Sequence, residues 1–588
     1  MRLQTQGPDE APSLVRLWLW PLAAGLLYSA ATALAFAPFG FWGFALLSPA
    51  PLLWAGWSAG SLPRPARSKG LRRLRALARS PVLAAWLGAS AGALPLWLFE
   101  QQWTIDVTRL GYLPMCVTLA MLVGLCPAAL GLIRRGLGPG ALAWAGPIAW
   151  AGVEVFRGEV FFTGYPWLLA AHPLIDAPLG PGLAALVGAY GAGALAVAPA
   201  AILLAGGGRR RRVAGAAAAL GVLAGVGVLG AALRPAPDDR SIRVAVVQTN
   251  VPQDNKIGWR IEDRVRDLER FIELSRRAAE AEPDLIIWPE TMFPGMTLEP
   301  AALAAARSAE LGQDSSLPDR PFVPVTWFAD ELLALQSELG IPMLVGAIGL
   351  EDLRTEPVEF GAQFNSAYVL ARGAVAGPRY DKIHLTPFGE VMPYISAIPG
   401  LQRLLLDLAA TSMPFTLQAG SSERPLELPL SGGMIRAATP ICFEAASAPT
   451  CRRISAQPRA DLLINLTNDG WFGDFDAARI QAEQIARWRA AELAIPLVRA
   501  ANTGASGAFD HRGRALPWRY HSTTGTGRLR TSGVLIVETP LAPDRATPFA
   551  RGGWIAGWLL LAATGALLAW GLLAGRRSSN QDAIADEV

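Results

Sequence analysis

A bundle of about eight membrane-spanning helices joined to a soluble α/β sandwich is the fold class this sequence predicts, on three observations. The 588 residues are 52% hydrophobic and only 17% charged, too apolar for an ordinary soluble protein. Arginines gather between long apolar runs while the formal charge is only +4. That is the pattern of topology signals, not of nucleic-acid contacts. From about residue 240 to 545 the texture changes to short β-prone runs alternating with amphipathic stretches.

The first apolar run, residues 14–37, is too long for a signal-peptide core and is followed by no convincing cleavage site, so it reads as a retained span. A second run, 40–60, precedes Arg64, Arg67, Lys69, Arg72, Arg73, Arg75 and Arg79, a loop expected in the cytoplasm. Runs at 81–99, 112–133, 139–156, 181–205 and 213–233 have about the length a bilayer core demands and complete seven spans in a membrane domain over 1–235. Arg134-Arg135 and Arg209 to Arg212 fall on the same side as the first basic loop. Gly88 to Gly92 and Gly221 to Gly225 match GxxxG, which lets helices approach closely, though 60 glycines also supply such matches by chance.

Between the fifth and sixth spans, Arg157 to Gly180 is rich in Phe, Tyr, Trp and Pro. Two readings stay open for it: an interfacial anchor, or a lipid-facing lip of an active site. A last run, 554–573, lies in a C-terminal helix over 551–575 and ends at Arg576-Arg577. Residues 576–588 then form a polar, disordered cytoplasmic tail, and the domain over 240–545 faces outward.

Within that domain, strands are expected at Ile242 to Val247, Leu285 to Trp288, Met343 to Ile348, Ser366 to Leu370, Met434 to Ile441, Leu462 to Leu466, Leu497 to Ala501 and Gly533 to Val537. Arg264 to Ala281 and Ala477 to Leu493 carry helical spacing with charged faces, as the outer layers of a sandwich need. Four cysteines give no disulfide framework or metal spacing. Cys116 and Cys126 lie in an apolar run and read as packing residues. A disulfide between Cys442 and Cys451 would consume the one cysteine placed to react.

Cys442 follows the Met434 to Ile441 run, and two further strand ends carry the groups that activate a thiol: Glu290 after Asp284-Leu-Ile-Ile-Trp-Pro, and Lys382 in Tyr380-Asp-Lys-Ile-His-Leu-Thr-Pro-Phe-Gly-Glu390. A thiol attacks as thiolate, so a carboxylate that takes its proton and a cation that stabilises the charge make it competent. The ammonium has a second use, since it stabilises the oxyanion of a tetrahedral intermediate. Singly, these residues read as a solvated loop carboxylate, a surface lysine and a small buried hydrophobe; together at three strand ends they are candidates for a catalytic set. His384 is a rival base, because in an extended segment it shares a face with Lys382. No G-x-S-x-G elbow is present in the domain over 240–545, which argues against a serine hydrolase.

These three segments, in this order, resemble the nitrilase superfamily with its Glu-Lys-Cys triad. The run from Lys382 to Glu390, Ile441-Cys-Phe-Glu444, Asn465-Leu-Thr-Asn-Asp-Gly-Trp-Phe-Gly473, Ala37-Pro-Phe-Gly-Phe-Trp42 and Thr163-Gly-Tyr-Pro-Trp167 are similar to the apolipoprotein N-acyltransferase family. The resemblance implies a four-layer αββα domain, the triad Glu290, Lys382 and Cys442, and no metal or organic cofactor. It implies Glu390 and Glu444 as active-site carboxylates that position Lys382 or the substrate, with a structural salt bridge the open alternative. It also implies Trp259 at the active-site mouth. Phe443 stands where the family often has tyrosine, and 296–335 makes a longer connection than usual, read as a mobile outer arm.

The implied activity is transfer of an acyl chain from a phospholipid donor to the N-terminal amine of a diacylglyceryl-apolipoprotein through a Cys thioester. It takes place at the bacterial inner membrane, with the protein a monomer and no nucleic acid involved. Two rivals are kept: a membrane-anchored nitrilase or amidase, which needs only one anchor, and a transporter or scaffold with a degenerate outer domain. A complete triad counts against degeneracy, and few intramembrane charges give no transport path.

Overall fold

The computed structural model describes residues 14–63, 76–236, 238–252, 259–398, 400, 402–404, 417–523 and 527–585, with side chains to 574 in the last helix. Most of the basic loop after the second run, residues 253–258 ahead of Trp259 and the Arg576-Arg577 side chains lie outside the described residues.

The membrane part contains α1 (Leu14–Ala35), α2 (Ala50–Ser61), α3 (Pro81–Glu100), α4 (Arg109–Ile133), α5 (Leu142–Val155), α6 (Gly180–Leu204) and α7 (Arg209–Ala232). With the C-terminal helix, six of the described helices are long and apolar enough to cross a membrane. Two of the eight expected spans are shorter. Residues 40–60 fold as a 3₁₀ turn, Trp42–Leu46, before the 12-residue α2, whose N-cap is Pro49 and whose first turn holds Pro51, where a missing N–H leaves no helical bond unmade. The expected span at 139–156 is the 14-residue α5, which continues through a π-helical turn, Phe156–Val160.

Of the two GxxxG matches, the first is a helix contact. A Cβ on Gly92 would lie 2.2 Å from Leu22 O in α1, so only glycine permits this approach of α1 and α3. Gly221 and Gly225 face open space.

The second part is a sandwich of two sheets. The first sheet contains β1 (Ser241–Gln248), β2 (Leu285–Trp288), β5 (Met343–Glu351), β6 (Ala362–Ala371), β7 (Tyr380–Asp381), β13 (Trp518–Ser522) and β14 (Gly533–Pro540). Its order is β7-β6-β5-β2-β1-β14-β13, with β1, β2 and β5 parallel. The second sheet runs β8 (Leu426–Leu430), β9 (Gly433–Ala438), β10 (Leu462–Thr467), β11 (Leu497–Ala501) and β12 (Gly507–Phe509), with β9, β10 and β11 parallel.

Side-chain alternation sorts the layers. Val244 and Val246 face the second sheet, where they pack with residues such as Leu428, Ile435 and Leu463; Ala245 and Val247 face α8 (Ile261–Ala279) and α10 (Trp327–Leu339) through Phe271 and Phe328. On the other side, α11 (Ala448–Ile454) and α12 (Asp476–Leu493) cover the second sheet, which completes αββα.

Three expectations change. The 296–335 connection is ordered: α9 (Pro300–Ser308), a hairpin of β3 (Gly312–Leu317) and β4 (Arg320–Pro324), then α10. The hairpin is held at Ser316, whose N–H and hydroxyl both donate to Glu262 of α8. The tail expected to be disordered is helical over most of its length, since α13 (Ile555–Ala585) continues into it.

The third concerns α12, whose charged face is not solvated. Ala486 and Ala490 pack under the second sheet while Ile485, Trp488 and Ala491 pack into the membrane part. Its polar residues then make the junction: Gln481 bonds Trp167 and Glu100, Arg487 pairs with Asp176, and Trp488 donates to His172 O.

Candidate active site

Several parallel strands end toward one point, the place where open α/β sheets bind ligands. β2 stops at Trp288, and Pro289, with no N–H for the ladder, turns the chain out to present Glu290. The next strand makes room for it: a Cβ on Gly346 of β5 would lie 2.3 Å from Pro289 O and 2.7 Å from the Glu290 Cα. Glu290 is buried, and both its oxygens are held. Oε1 accepts from Asn365 Nδ2 at 2.6 Å and Oε2 from the Asn468 N–H at 2.7 Å.

Lys382 continues β7 by donating its N–H to Asn365 O at 2.8 Å. Its buried Nζ pairs with Glu390 Oε2 at 2.6 Å and donates to Thr386 Oγ1 at 3.2 Å. Glu390 is fixed in turn by the Thr386 N–H at 2.8 Å. Burial opposes charge on Lys382, but Glu390 foremost, with Cys442 and Glu290, raises its pKa well above the usual lysine range. Burial likewise raises Glu390, and the Lys382 ammonium outweighs it and holds that carboxyl below its ordinary value.

Cys442 follows β9 with a φ of +52°, a left-handed conformation that a non-glycine residue keeps only where its surroundings enforce it. The enforcement is visible. Asn465 donates to Pro440 O at 2.8 Å and Cys442 O at 3.5 Å, Arg499 donates to Asn465 Oδ1, and Arg499 pairs with buried Asp469 at 2.8 Å. Burial first, then the Glu290 charge, pushes the Cys442 thiol up, while Lys382 pulls it down.

Glu444 closes the turn. Its carboxylate accepts from Ile441 N at 2.8 Å, from Ile383 N and His384 N at 2.8 and 2.9 Å, and from Tyr380 OH at 3.0 Å. It ties the lysine segment to the cysteine turn, and burial raises its pKa to about 7 against those donors. Glu390 alone pairs with the lysine. His384 stacks on Phe443 at 6.0 Å and 19°, and burial pushes its pKa down to about 4. Phe443 also stacks with Tyr165 of the membrane part, at 5.9 Å and 14°.

The Arg157 to Gly180 segment thus lies against the cysteine turn. Tyr165 stacks on Trp167, Phe472 lies edge-on to Trp103 at 5.0 Å, and Phe162 meets Phe388 and Tyr394 at 5.2 and 5.6 Å. Trp259 is elsewhere: its Nε1 donates to Asp267 at 2.8 Å and its ring packs on the α8 layer, with no described contact to Glu290, Lys382 or Cys442. Cys451 is buried and donates its Sγ–H to Glu444 O at 3.3 Å; all four cysteines are free.

Sequence reasoning missed Asn365 and Asn468, which hold Glu290, and Thr386. Asn468 sits in the quoted Asn465 to Gly473 run, where a buried asparagine at a strand end was the available signal.

The carbon-nitrogen hydrolase family model matches residues 243–537, and the model for the apolipoprotein N-acyltransferase N-terminal domain matches 28–202. The apolipoprotein N-acyltransferase of Allorhizobium ampelinum is 31% identical over 512 residues, covering 82% of this chain and 84% of the relative. That of Rhodopseudomonas palustris is 28% identical over 577 residues, covering 94% and 95%. A solved mutant of the amidase from Nesterenkonia sp. AN1 aligns with 54% of this chain and 96% of its own, at 18% identity and a TM-score of 0.34, a level that carries no functional argument. With a 31% identical relative spanned over most of its length and both family models in place, the chain belongs to the apolipoprotein N-acyltransferase family.

Proposed function

We propose that this protein transfers an acyl chain from a membrane phospholipid to the α-amino group of a lipoprotein's N-terminal diacylglyceryl-cysteine. Glu290 takes the Cys442 proton as the sulfur attacks the donor ester, a thioester forms, and the lysophospholipid leaves with that proton. The incoming amine then attacks the thioester, Glu290 takes a proton from the amine, and Cys442 leaves as the thiol. The Lys382 ammonium stabilises both oxyanions. Glu390 positions Lys382, and Glu444 holds the two reacting segments in register.

The observation that carries this reading is the stack of Phe443, one residue beyond the nucleophile, on Tyr165 of the membrane part. A thiol at that seam meets an amphiphilic donor and a lipid-anchored acceptor, each confined to the bilayer, at high effective concentration. A hydrolase of soluble amides gains nothing from the placement.

The reading extends to organisation: a membrane domain over 1–235, a catalytic domain over 240–545, a C-terminal helix over 551–575 and a cytoplasmic tail over 576–588, in a monomer of the inner membrane. Trp570 of α13 donates to Gly136 O, next to Arg134-Arg135, while α12 docks through Glu100 and Asp176, which supports the reading that the basic residues and the catalytic domain take opposite sides. Incubation of purified protein with phospholipid and a diacylglyceryl-cysteine peptide tests the activity. The expected product is the N-acylated peptide plus one lysophospholipid; release of free fatty acid with the peptide untouched would instead mark a hydrolase.

A further inference from the structure

A crevice that none of Glu290, Lys382 and Cys442 lines runs between α11 and α12 of the catalytic domain and α5, α6 and α13 of the membrane part. The crevice is open at its mouth. Three of the membrane segments around it are irregular where they border it. α5 gives way to the π-helical turn Phe156–Val160, which contributes Glu159; α6 breaks at Gly188, φ +65°, between lining residues Val187 and Ala189; and a second π-helical turn, Phe549–Gly553, leads into α13 and contributes Phe549. π-Turns gather at functional sites, and broken helix at membrane depth is tolerated where it lines a cavity or is buried in protein.

The lining of the crevice is part charged and part apolar. Arg489, 3% exposed, pairs with Glu492 at 2.9 Å and donates to Ala446 O at 3.1 Å, while its Nε has no hydrogen-bond partner among the described residues. Arg452 lies over the Trp554 ring at 4.3 Å, and Glu159 accepts from Tyr190 OH at 2.7 Å. The other walls are apolar: Val155, Leu169, Val187 and, on α13, Gly557 and Trp558. Trp558 is 40% exposed and, with Trp554, stands at the start of α13, as indoles do at headgroup level.

We propose that this crevice binds the headgroup and upper acyl carbons of one aminophospholipid, which is held and not consumed. Two arginines and two glutamates line it, so an anionic headgroup would satisfy the arginines and leave Glu159 facing like charge. A phosphate toward Arg452 and the Arg489 Nε, with a primary ammonium toward Glu159, matches both signs. A soluble zwitterion would leave the apolar walls unfilled. Such a lipid ties α11 and α12 to α13. The proposal rests on the membrane setting and not on the acyl-transfer chemistry.

The test uses full-length protein in detergent and a photoactivatable diether phosphatidylethanolamine, which has no ester to give. Cross-links are expected in segments 448–452 and 549–558, equally in wild type and Cys442→Ala. Unlabelled diether phosphatidylethanolamine should compete at least tenfold better than diether phosphatidylglycerol, and phosphoethanolamine should not compete. Gly557→Leu, whose side chain would meet Tyr190 and Val155 from about 3.3 Å, and Arg452→Gln on the half-buried rim should each cut labelling at least fivefold, with Arg452→Lys retaining more than Arg452→Gln. Arg452→Gln leaves the helix packing alone and decides the matter if Gly557→Leu does not fold. Labelling confined to the Cys442 turn and 384–394, equal competition by phosphatidylglycerol, competition by phosphoethanolamine, or full labelling of Arg452→Gln would each overturn the proposal.

Discussion

Phe443 and Tyr165 stack at 5.9 Å with their rings 14° apart, which joins the nucleophile's turn to the membrane part across 278 residues of chain. Tyr165 is itself fixed, donating its hydroxyl to Gln101 Oε1 at 2.8 Å. Such an aromatic pair contributes about 0.5–1.5 kcal/mol beyond its buried area. Tyr165→Ala should therefore lower turnover roughly three- to tenfold, Tyr165→Phe should stay near wild type, and Phe443→Tyr should keep the stack and most activity. Steady-state rates with phospholipid and peptide check all three; unimpaired Tyr165→Ala would show that the stack is incidental.

The identity of the base separates two mechanisms. Glu290→Gln keeps the side chain's size and one of the two acceptor oxygens that Asn365 and the Asn468 N–H occupy but cannot take a proton, so reaction of Cys442 with an alkylating reagent at neutral pH should all but stop. His384→Ala should leave that reaction standing, since the imidazole is occupied in stacking on Phe443. The reverse outcome would make the site a Cys-His pair.

Lys382→Arg is expected to be severe. The ammonium is fully buried in a pocket shaped by Glu390 and Thr386, and a planar guanidinium cannot place a compact charge there. Turnover should fall roughly a hundredfold or more, the scale of losing an oxyanion donor. Near-normal turnover in purified Lys382→Arg would remove the residue from the catalytic set.

His384 also sets a pH dependence. Its pKa in the folded protein is about 4, below the unfolded value near 6.5, so the unfolded chain binds the proton first as pH falls. The stability its neutral form contributes is complete above about pH 6.5 and is lost as pH drops toward 4, by up to about 2–3 kcal/mol. His384→Phe keeps a ring on Phe443 and removes the titration. Its thermal unfolding should fall less than that of wild type between pH 7.5 and 4.5; parallel losses would contradict the assignment.

The strands, and the placement of three candidate residues at their ends, were legible because each rests on local pattern: an apolar run, a turn former, and one reactive residue at the end. Cys442, Lys382 and Glu290 could be read that way. Asn365 could not, since its role depends on pairing β6 with β7 and on the approach of β2 that Gly346 permits. The polar face of α12 was legible as a face but not as an interface. Gln481 and Arg487 look solvated in sequence, and only the docked membrane part supplies Trp167, Glu100 and Asp176 as partners. The short second helix was missed for a different reason: hydropathy over 40–60 is continuous, while the α-helix starts only at Ala50.

The thioester itself tests the central claim most directly. A two-step exchange must store the acyl group between substrates, so wild-type protein given phospholipid alone should gain one acyl mass by intact-mass analysis. The adduct should map to Cys442, be released by hydroxylamine, disappear when a diacylglyceryl-cysteine peptide is added, and be absent from Cys442→Ala. Transfer to the peptide with no enzyme-bound acyl group under rapid quench, or turnover retained by Cys442→Ala, would contradict the covalent mechanism.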